Sequence, residues 1–327
     1  MVILDLVERV GALPVGATVE VPLAPGDADL VRRWCERTGN ELVGIGPDTA
    51  TVRRGRARDP VEDLPRDRRP GARLWLYTNF DCNLACDYCC ARSSPRTPRR
   101  ALGLDRVRRI IAEAAELTEV TEVFLTGGEP FLLPDLDQIV RACTDRFPTT
   151  LLTNGMLFRG RRLDLLRSMP RDRLTLQISL DSPAPDRHDR HRGQGSWNRA
   201  VAGIRIALDE GFRVRVAATI APGEDSDADA FHAYLDTLGI PLQDRVVRPV
   251  AQRGSAADGV ALTVDSLIPE VTVTDDGVYW HPVGADHLDQ LVTRDIFPLS
   301  AAVEEIRRRF VEYRSSANTA AESFPCA

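Results

Sequence analysis

Beyond residue 72 the chain alternates short apolar runs with longer stretches whose apolar residues recur at helical spacing. The short runs predict strands, which are RLWLYTNF, EVFLTGGE, TTLLTNG, RLTLQISLD, RVRVAATI and RVVRPVA. Helices are predicted between them, near 105–118, 135–146, 162–168, 197–210 and 227–237. Strands that alternate with helices in this way form parallel sheets through right-handed crossovers. The predicted fold class is therefore α/β, a partial (β/α)6 barrel of the TIM type.

The segments before and after this region show other patterns of apolar and polar residues. Residues 1–54 predict a small α+β domain, with strands in GATVEVPL, NELVGIG and TATVRRG and a helix in GDADLVRRWCERTG. Residues 55–71 are rich in proline and in charges of both signs, which is typical of a linker. The barrel is predicted over 72–255. A hairpin, EVTVTDDGVYWHPV, and a helix, PLSAAVEEIRRRFVEY, then make up an extension over 256–327.

The amino-acid composition and net charge exclude several classes of protein function. With 327 residues, 43% of them hydrophobic, the chain has room for one large domain and a smaller one. Every basic side chain except histidine is arginine, so enzymes that need a Schiff-base or phosphate-loop lysine are excluded. A net charge of -6 does not indicate nucleic-acid binding. The sequence shows no long apolar run and no secretory leader, so we expect a cytoplasmic protein without membrane contact.

Four of the seven cysteines lie in one short stretch, DCNLACDYCC, at positions 82, 86, 89 and 90. Clustered thiols in a reducing compartment bind metal more often than they form disulfides, and an odd total also argues against a disulfide framework. Structural zinc takes four protein ligands, usually from two separate pairs. A cubane held by three cysteines leaves one iron open for a small molecule. Three unrelated buried thiols are the remaining alternative. The polar loop favours the iron–sulfur cluster.

Further polar residues follow the predicted strands: TGGEP ends the second, TNG follows the third and SLDS follows the fourth. Barrel enzymes place their chemistry at these carboxyl ends. The fourth strand also carries Gln177 and Ser179, which a purely packed strand would avoid. Structural alternatives remain open: a tight turn for the two glycines, turn chemistry for Asn154 and helix capping for Asp181.

Together these motifs resemble the radical S-adenosylmethionine (radical SAM) superfamily over residues 72–255. Cys82, Cys86 and Cys89, with Tyr88 before the last, match its signature, and TGGEP looks like its Gly-Gly-Glu element. The resemblance implies that these cysteines hold a [4Fe-4S] cluster whose open iron binds the amino and carboxylate groups of S-adenosylmethionine. It also implies cleavage of this cosubstrate to methionine and a 5′-deoxyadenosyl radical, which abstracts a substrate hydrogen.

The residues that the resemblance assigns to the cosubstrate site are Tyr88, Gly127, Gly128, Glu129, Asn154, Ser179, Asp181 and Arg192. The glycines let backbone carbonyls approach a ligand ammonium, near the charge of Glu129. Ser179 and Asp181 suit ribose hydroxyls. Tyr88 is expected over the adenine, with a core aromatic as the structural alternative. Arg192 either pairs with the methionine carboxylate or is a solvated loop residue. Arg248 is a second candidate for that pairing. Cys90 is left as a neighbour of the cluster, a substrate-facing thiol or a small buried residue.

Both ends of the chain carry weaker resemblances. The segment with RPVAQRGSA and VTVTDDGVYWHPV resembles the SPASM extension, which holds auxiliary clusters in relatives. Here His281 stands near the usual cysteine step and only Cys326 follows, so a reduced extension without an auxiliary cluster is expected. Residues 1–54 look like part of a TusA-type sulfur-carrier domain, but GALPVG lacks the carrier cysteine, so partner or peptide docking is the expected role.

The overall expectation is an oxidoreductase-type radical enzyme that acts on a peptide or specialised small-molecule substrate. It would use an external one-electron donor of the flavodoxin or ferredoxin kind. The alternative is a non-enzymatic iron–sulfur scaffold or redox-sensing binding protein. TGGEP and SLDS favour the enzyme, because a sensor does not need a cosubstrate pocket.

Overall fold

A computed structural model describes residues 2–11, 13–14, 16–55, 61, 64–221, 223, 228–264 and 266–323. They divide into two compact units. One contains the chain up to Pro65 and from Val311 onward, and the other runs from Arg66 to Phe310. The predicted linker 55–71 is described only in part, because 56–60 and 62–63 lie outside the described residues, as does Cys326.

The N-terminal stretch of the smaller unit has a three-stranded antiparallel sheet and two helices in its described part. Its elements are α1 (Val2–Gly11), β1 (Thr18–Pro22), α2 (Ala28–Thr38), β2 (Glu41–Ile45) and β3 (Thr49–Arg53), and the strand order is β1-β3-β2. The strands and α2 form where the sequence predicts them, whereas α1 was not predicted. Cys35 is buried in the core of this unit, and burial raises the pKa of its thiol to about 11.

The larger unit contains the predicted alternation of strands and helices. Its first elements are β4 (Arg73–Tyr77), α3 (Leu104–Ala115), β5 (Glu122–Thr126), α4 (Leu136–Thr144), β6 (Thr149–Thr153) and α5 (Arg161–Ser168). They are followed by β7 (Leu174–Ser179), α6 (Pro185–Arg192), α7 (Ser196–Asp209), β8 (Arg213–Ile220), α8 (Ala228–Thr237) and β9 (Arg245–Pro249). Every strand predicted here forms. The helix α6 was missed because its sequence, PDRHDRHR, has no apolar stripe, and only His188 in it is buried.

The strands β4 to β9 are neighbours in chain order, and each pairs in parallel with the next. The predicted α/β fold with a mostly parallel sheet is thus confirmed. The C-terminal segment adds β10 (Val271–Thr274), β11 (Gly277–Tyr279), β12 (Leu291–Thr293) and α9 (Leu299–Ser323). β10 pairs in parallel with β4, and β11 and β12 continue antiparallel from it. The predicted hairpin therefore extends the central sheet at its β4 edge.

Helices cover the sheet through apolar residues at spacings of three and four. In α3 these are Val107, Ile110, Ile111 and Ala114, all of them buried. Because β4 to β8 are parallel neighbours, their carboxyl ends lie along one edge, and the loops after them share that edge. Within the described ranges, no helix is long and apolar enough to cross a membrane.

One helix contact fixes the loop after β6. Gly203 is buried in α7, and a Cβ added there would lie 2.0 Å from the carbonyl oxygen of Gly155. Alanine normally stabilises a helix relative to glycine by about 1 kcal/mol. Here the clash is with backbone, so Gly203→Ala is expected to lower the free energy of unfolding by about 1–3 kcal/mol.

Urea unfolding of the variant beside Ala202→Gly, an exposed neighbour in the same helix, measures this effect. The control should lose about 1 kcal/mol through helix propensity alone. A Gly203→Ala protein that is more stable than wild type would contradict the close approach of α7 to the loop after β6.

Candidate functional site

A cavity of about 380 Å³ lies at the carboxyl ends of the parallel strands. Its wall includes all three cysteines of the predicted signature. It also includes most of the residues predicted for the cosubstrate, namely Tyr88, Gly127, Gly128, Asn154, Ser179 and Arg192. Glu129 and Asp181 are buried and hydrogen-bonded to residues of that wall. The fold therefore gathers residues from four separate strand ends around one space.

The cysteine loop supplies hydrogen bonds to two of its own sulfur atoms. The backbone N–H of Leu84 donates to Cys82 Sγ over 3.4 Å, and that of Ser93 donates to Cys89 Sγ over 3.3 Å. Burial raises the pKa of Cys82 to about 12, with a further contribution from the Glu129 charge. Burial also raises the pKa of Cys86 to about 11, although the Arg192 charge opposes this. Thiols of this kind ionise at neutral pH when a metal binds them.

The side chains of the cysteine loop can be compared with those that a [4Fe-4S] cluster, the group predicted from the sequence, requires. In the part of the chain that the structure describes, no three His, Cys, Asp or Glu side chains converge closely enough to hold a single metal ion. In a cubane the cysteines bind different iron atoms, so they need not meet around one ion. Peptide N–H donors to sulfur are typical of such clusters. In addition, Ser93 Oγ is buried in this wall without a hydrogen-bond partner among the described residues. The residues thus fit a cubane.

The two glycines after β5 are required by close packing. A Cβ on Gly127 would lie 2.3 Å from the carbonyl oxygen of Asn79, and one on Gly128 would lie 2.2 Å from that of Asp81. Gly128 N–H donates to the Asn79 carbonyl over 2.9 Å. The glycines therefore let this loop lie directly against the chain that leads into the cysteine loop. This reason is additional to the ligand approach expected from the sequence.

Glu129 ties the end of β5 to the end of β6. Its carboxylate accepts hydrogen bonds from Thr153 Oγ1 over 2.8 Å, Asn154 N–H over 2.9 Å and Phe131 N–H over 3.0 Å. Burial raises the pKa of Glu129, and these hydrogen bonds act against that rise. Asn154 in turn donates from Nδ2 to Asn83 Oδ1 in the cysteine loop over 2.8 Å. The carboxylate therefore positions Asn154 and lies behind the cavity wall.

Asp181 is the centre of a second buried group. Arg192 Nε and Nη2 donate to its two oxygens over 2.6 and 3.2 Å, Thr219 N–H donates over 3.0 Å, and the Tyr88 hydroxyl also donates. Burial raises the pKa of Asp181, but Arg192 outweighs this and holds it below the usual value. Burial would lower the pKa of Arg192, but Asp181 raises it well above the usual value. Arg192 is thus not a solvated loop residue, and Asp181 is not a helix cap.

His188 completes this group and was not identified from the sequence. Its Nδ1 accepts a hydrogen bond from Asp181 N–H over 3.1 Å, and the side chain is 1% exposed. Burial lowers the pKa of His188 to about 4, and the Arg192 charge acts in the same direction. The ring is neutral at physiological pH. A histidine in a polar helix carries no sequence signal for this role.

A further part of the cavity wall contains Cys90 and Arg248, whose roles the sequence leaves open. Cys90 lines the cavity together with Tyr77, whose hydroxyl donates to the Pro282 carbonyl over 2.6 Å. Burial raises the pKa of Cys90 to about 12, Cys89 adds to this, and the Arg248 charge opposes it. Burial lowers the pKa of His281 to about 4. Arg248, at the end of β9, also lines the cavity.

These features define a class: a mostly parallel α/β protein with a three-thiol loop in a cavity at the carboxyl ends of its strands. The family model for the Radical SAM superfamily matches residues 76–269, which is more than half of the chain. The chain belongs to the Radical SAM superfamily, and that membership indicates S-adenosylmethionine as its cosubstrate.

Several curated relatives are similar over part of their length. AdoMet-dependent heme synthase of Methanosarcina barkeri is 32% identical over 142 residues, which is 43% of this chain and 40% of the relative. The subtilosin biosynthesis protein AlbA of Bacillus subtilis is 34% identical over 44% of this chain and 33% of its own. A probable GTP 3′,8-cyclase of Halobacterium salinarum is 28% identical over 73% and 62%. The chain thus spans less than two thirds of each of these relatives.

Among solved structures, native anSMEcpe with bound AdoMet and Cp18Cys peptide matches with a TM-score of 0.56 and 12% identity. The match covers 73% of this chain and 82% of that one. At this level of identity the likeness shows a shared fold.

The low pKa values of His188 and His281 predict how the free energy of unfolding depends on pH. Since the pKa of His188 and of His281 is about 4 in the folded protein, below the ordinary 6.5, the unfolded chain binds protons over this range that the folded protein does not. The free energy of unfolding should therefore fall as the pH falls from 6.5 toward 4, by up to about 3 kcal/mol for each ring.

Urea unfolding across this pH range measures the slope. His188→Gln keeps an oxygen that can accept from Asp181 N–H, and it should remove about half of the slope. His188→Gln combined with His281→Gln should remove most of it. A slope that both proteins share with wild type would show that other groups cause it.

Proposed function

We propose that the protein is a radical SAM enzyme in which Cys82, Cys86 and Cys89 hold a [4Fe-4S] cluster. The observation that carries this proposal is that one cavity wall contains these three thiols together with most of the candidate cosubstrate residues. When bound, the cluster supplies the electron that cleaves S-adenosylmethionine into methionine and a 5′-deoxyadenosyl radical, which abstracts hydrogen from the substrate. We assign one cluster to the chain.

The roles proposed for the cosubstrate residues follow from their contacts. Tyr88 lies in the wall with its hydroxyl held by Asp181 and its ring beside His191 and Arg192, and this ring is proposed to contact the adenine. Arg192 uses Nε and Nη2 on Asp181, and its Nη1 has no hydrogen bond within the described residues, so it can bind the methionine carboxylate. Ser179 is left for the ribose hydroxyls. Asp181 acts through Tyr88 and Arg192.

On the other side of the proposed site, the backbone at Gly127 and Gly128 receives the ligand ammonium. Glu129 acts through Asn154, which it holds by a hydrogen bond to the backbone N–H. Both buried carboxylates are therefore proposed as positioning residues for the wall. The sequence favours direct contacts of Glu129 and Asp181 with the ligand, whereas their hydrogen bonds to other residues of the wall support this indirect role.

The parallel strands are proposed to curve into a partial barrel. β4 and β9 are the first and last of the six strands that alternate with helices, and four strands separate them in the sheet, yet Tyr77 of β4 and Arg248 of β9 both line the same cavity. A sheet in which two such distant strands share a wall must curl around it. The smaller unit is proposed as a TusA-like docking domain for a partner or peptide. The segment after residue 255 is proposed as a reduced SPASM-like extension.

A peptide or a specialised small molecule is the proposed substrate class. AlbA is by name a protein of bacteriocin biosynthesis, and the structure of anSMEcpe contains a bound peptide. An external one-electron donor of the flavodoxin or ferredoxin kind is proposed to reduce the cluster. The reduced thiols fit a role in the cytoplasm.

The cluster assignment predicts the effect of removing each ligand. Cys82→Ala, Cys86→Ala and Cys89→Ala should each abolish both the brown chromophore and the formation of 5′-deoxyadenosine, because a two-thiol site does not retain the cubane. The wild-type protein, reconstituted without oxygen, should contain about four iron atoms per chain. Cys143→Ala is the matched control, since Cys143 is buried in α4 and does not line the cavity.

Two results would contradict the assignment. Cosubstrate cleavage by the triple variant would place the reaction elsewhere. About four iron atoms retained in that variant would reveal a second cluster. A wild-type protein that loads the cluster but does not cleave S-adenosylmethionine would be a scaffold or sensor.

The positioning role of the carboxylates predicts weaker cosubstrate binding with the cluster retained. Asp181→Ala and Glu129→Ala should each weaken the binding of S-adenosylmethionine by about 1–3 kcal/mol, through the side chains they no longer hold. The change in the electron paramagnetic resonance of the reduced cluster on titration measures it. Asp164→Asn, an exposed position of α5, is the control. Unchanged affinity in both variants would limit these carboxylates to a structural role.

A further inference from the structure

Arg248 differs from the other arginine in the cavity wall. It is the fourth residue of β9, it is exposed, and it lines the cavity. Within the described residues it makes no hydrogen bond and no ion pair, whereas Arg192 is held by Asp181 through Nε and Nη2. An arginine in a concave site with no partner of its own is available to a ligand.

The charge of this wall is not balanced. Among the described residues that line the cavity, Arg192 and Arg248 are the charged side chains, and no carboxylate is present. Asp181 lies behind the wall and neutralises Arg192. The positive charge of Arg248 is therefore left for whatever enters the cavity.

The two arginines serve different parts of the cavity. Arg192 is held by Asp181 and lies 5.4 Å from the centroid of the Tyr88 ring, and both of these residues belong to the proposed cosubstrate site. Arg248 lies on β9, which contributes none of the proposed cosubstrate residues, and its neighbour Pro249 lines the cavity with it. Arg248 therefore lies in the part of the cavity that the cosubstrate residues do not explain.

An apolar surface is built beside Arg248. The chain after β9 folds back on itself, so that Val260 N–H donates to the Val250 carbonyl over 2.8 Å and Gln252 N–H donates to the Val260 carbonyl over 2.9 Å. This places Val260, which is 46% exposed, next to the end of β9. Val260 and Leu262 line the cavity, and so does Pro249, the residue after Arg248. A cation thus lies next to an apolar surface.

We propose that Arg248, together with Val260 and Leu262, binds a carboxylate of the substrate that lies beside an apolar group. This rests on the proposed function, since it assigns the substrate end of the same cavity. The carboxylate is either the C-terminus of a peptide or an acidic side chain within one. The guanidinium binds it in the bidentate geometry that arginine favours, and the apolar wall packs against the neighbouring group.

Three small probes test this assignment on the reconstituted protein with S-adenosylmethionine bound. N-acetyl-L-leucine carries a terminal carboxylate, N-acetyl-L-leucinamide is its neutral match, and the α-amide of N-acetyl-L-glutamate carries a side-chain carboxylate. Anaerobic calorimetry gives their dissociation constants. At least one acid should bind about tenfold more tightly than the leucinamide, and the preference should weaken as salt is added. The acid that binds more tightly shows whether the carboxylate of the substrate is a peptide C-terminus or an acidic side chain.

Substitutions at Arg248 test whether this residue causes the preference for the acids over the amide. Arg248→Gln should abolish the tenfold preference, and Arg248→Lys should retain part of it, because lysine keeps the charge without the bidentate fork. Arg161→Gln, at an exposed position of α5 outside the cavity wall, should leave it intact. Equal binding of acids and amide to wild type, or a preference that survives Arg248→Gln, would overturn the proposal.

A parallel titration of S-adenosylmethionine separates the two sites. If Arg248→Gln weakens the cosubstrate and leaves the acid probes unaffected, Arg248 belongs to the cosubstrate site and the inference is wrong. Failure of the proposed function has a different signature, because the wild-type protein would then not form 5′-deoxyadenosine in the absence of any probe.

Discussion

The buried ion pair between Asp181 and Arg192 is the interaction on which the cavity depends. One carboxylate accepts from the end of α6, from the backbone of β8 and from Tyr88 in the cysteine loop, so three separate segments converge on it. A buried carboxylate is stable only when such donors surround it, and a buried guanidinium needs the same compensation. Because each partner is costly to bury alone, the loop, the helix and the strand are constrained together.

Glu129 plays the corresponding part on the other side of the cavity. It accepts from residues that follow β5 and β6, and Asn154 passes the constraint to Asn83 in the cysteine loop. The cysteine loop is thus held from two sides by buried carboxylates that do not themselves face the cavity. Buried charges that are saturated by protein donors make a rigid wall. Among the residues that the structure describes, this wall presents neutral groups and the unpaired cation of Arg248 to ligands.

The C-terminal segment closes the arrangement. Its hairpin joins the sheet beside β4, and the residues that follow it bring Pro282 against Tyr77 and place Val283 in the cavity wall. The cavity wall therefore has one part built from the cysteine loop and the ends of β5 to β8, where the proposed cosubstrate residues lie, and another built from Tyr77 of β4, the end of β9 and the C-terminal segment. The proposal assigns the radical chemistry to the first part, and it assigns the selection of the substrate to Arg248 and the apolar wall in the second.

The sequence by itself determined the alternation of strands and helices, because apolar periodicity is local and each strand has its own run of buried residues. It also determined the three-thiol loop and the superfamily, since their spacing lies within one short segment. Only the tertiary structure decided that α6 forms in PDRHDRHR, that His188 and Arg192 meet Asp181, and that Arg248 shares a wall with Cys90. Helix α6 has no apolar stripe that would predict it, and its last residue is held by a buried ion pair. Such contacts join residues from different strand ends and loops, and they depend on how those segments are brought together in the fold, which no local pattern encodes.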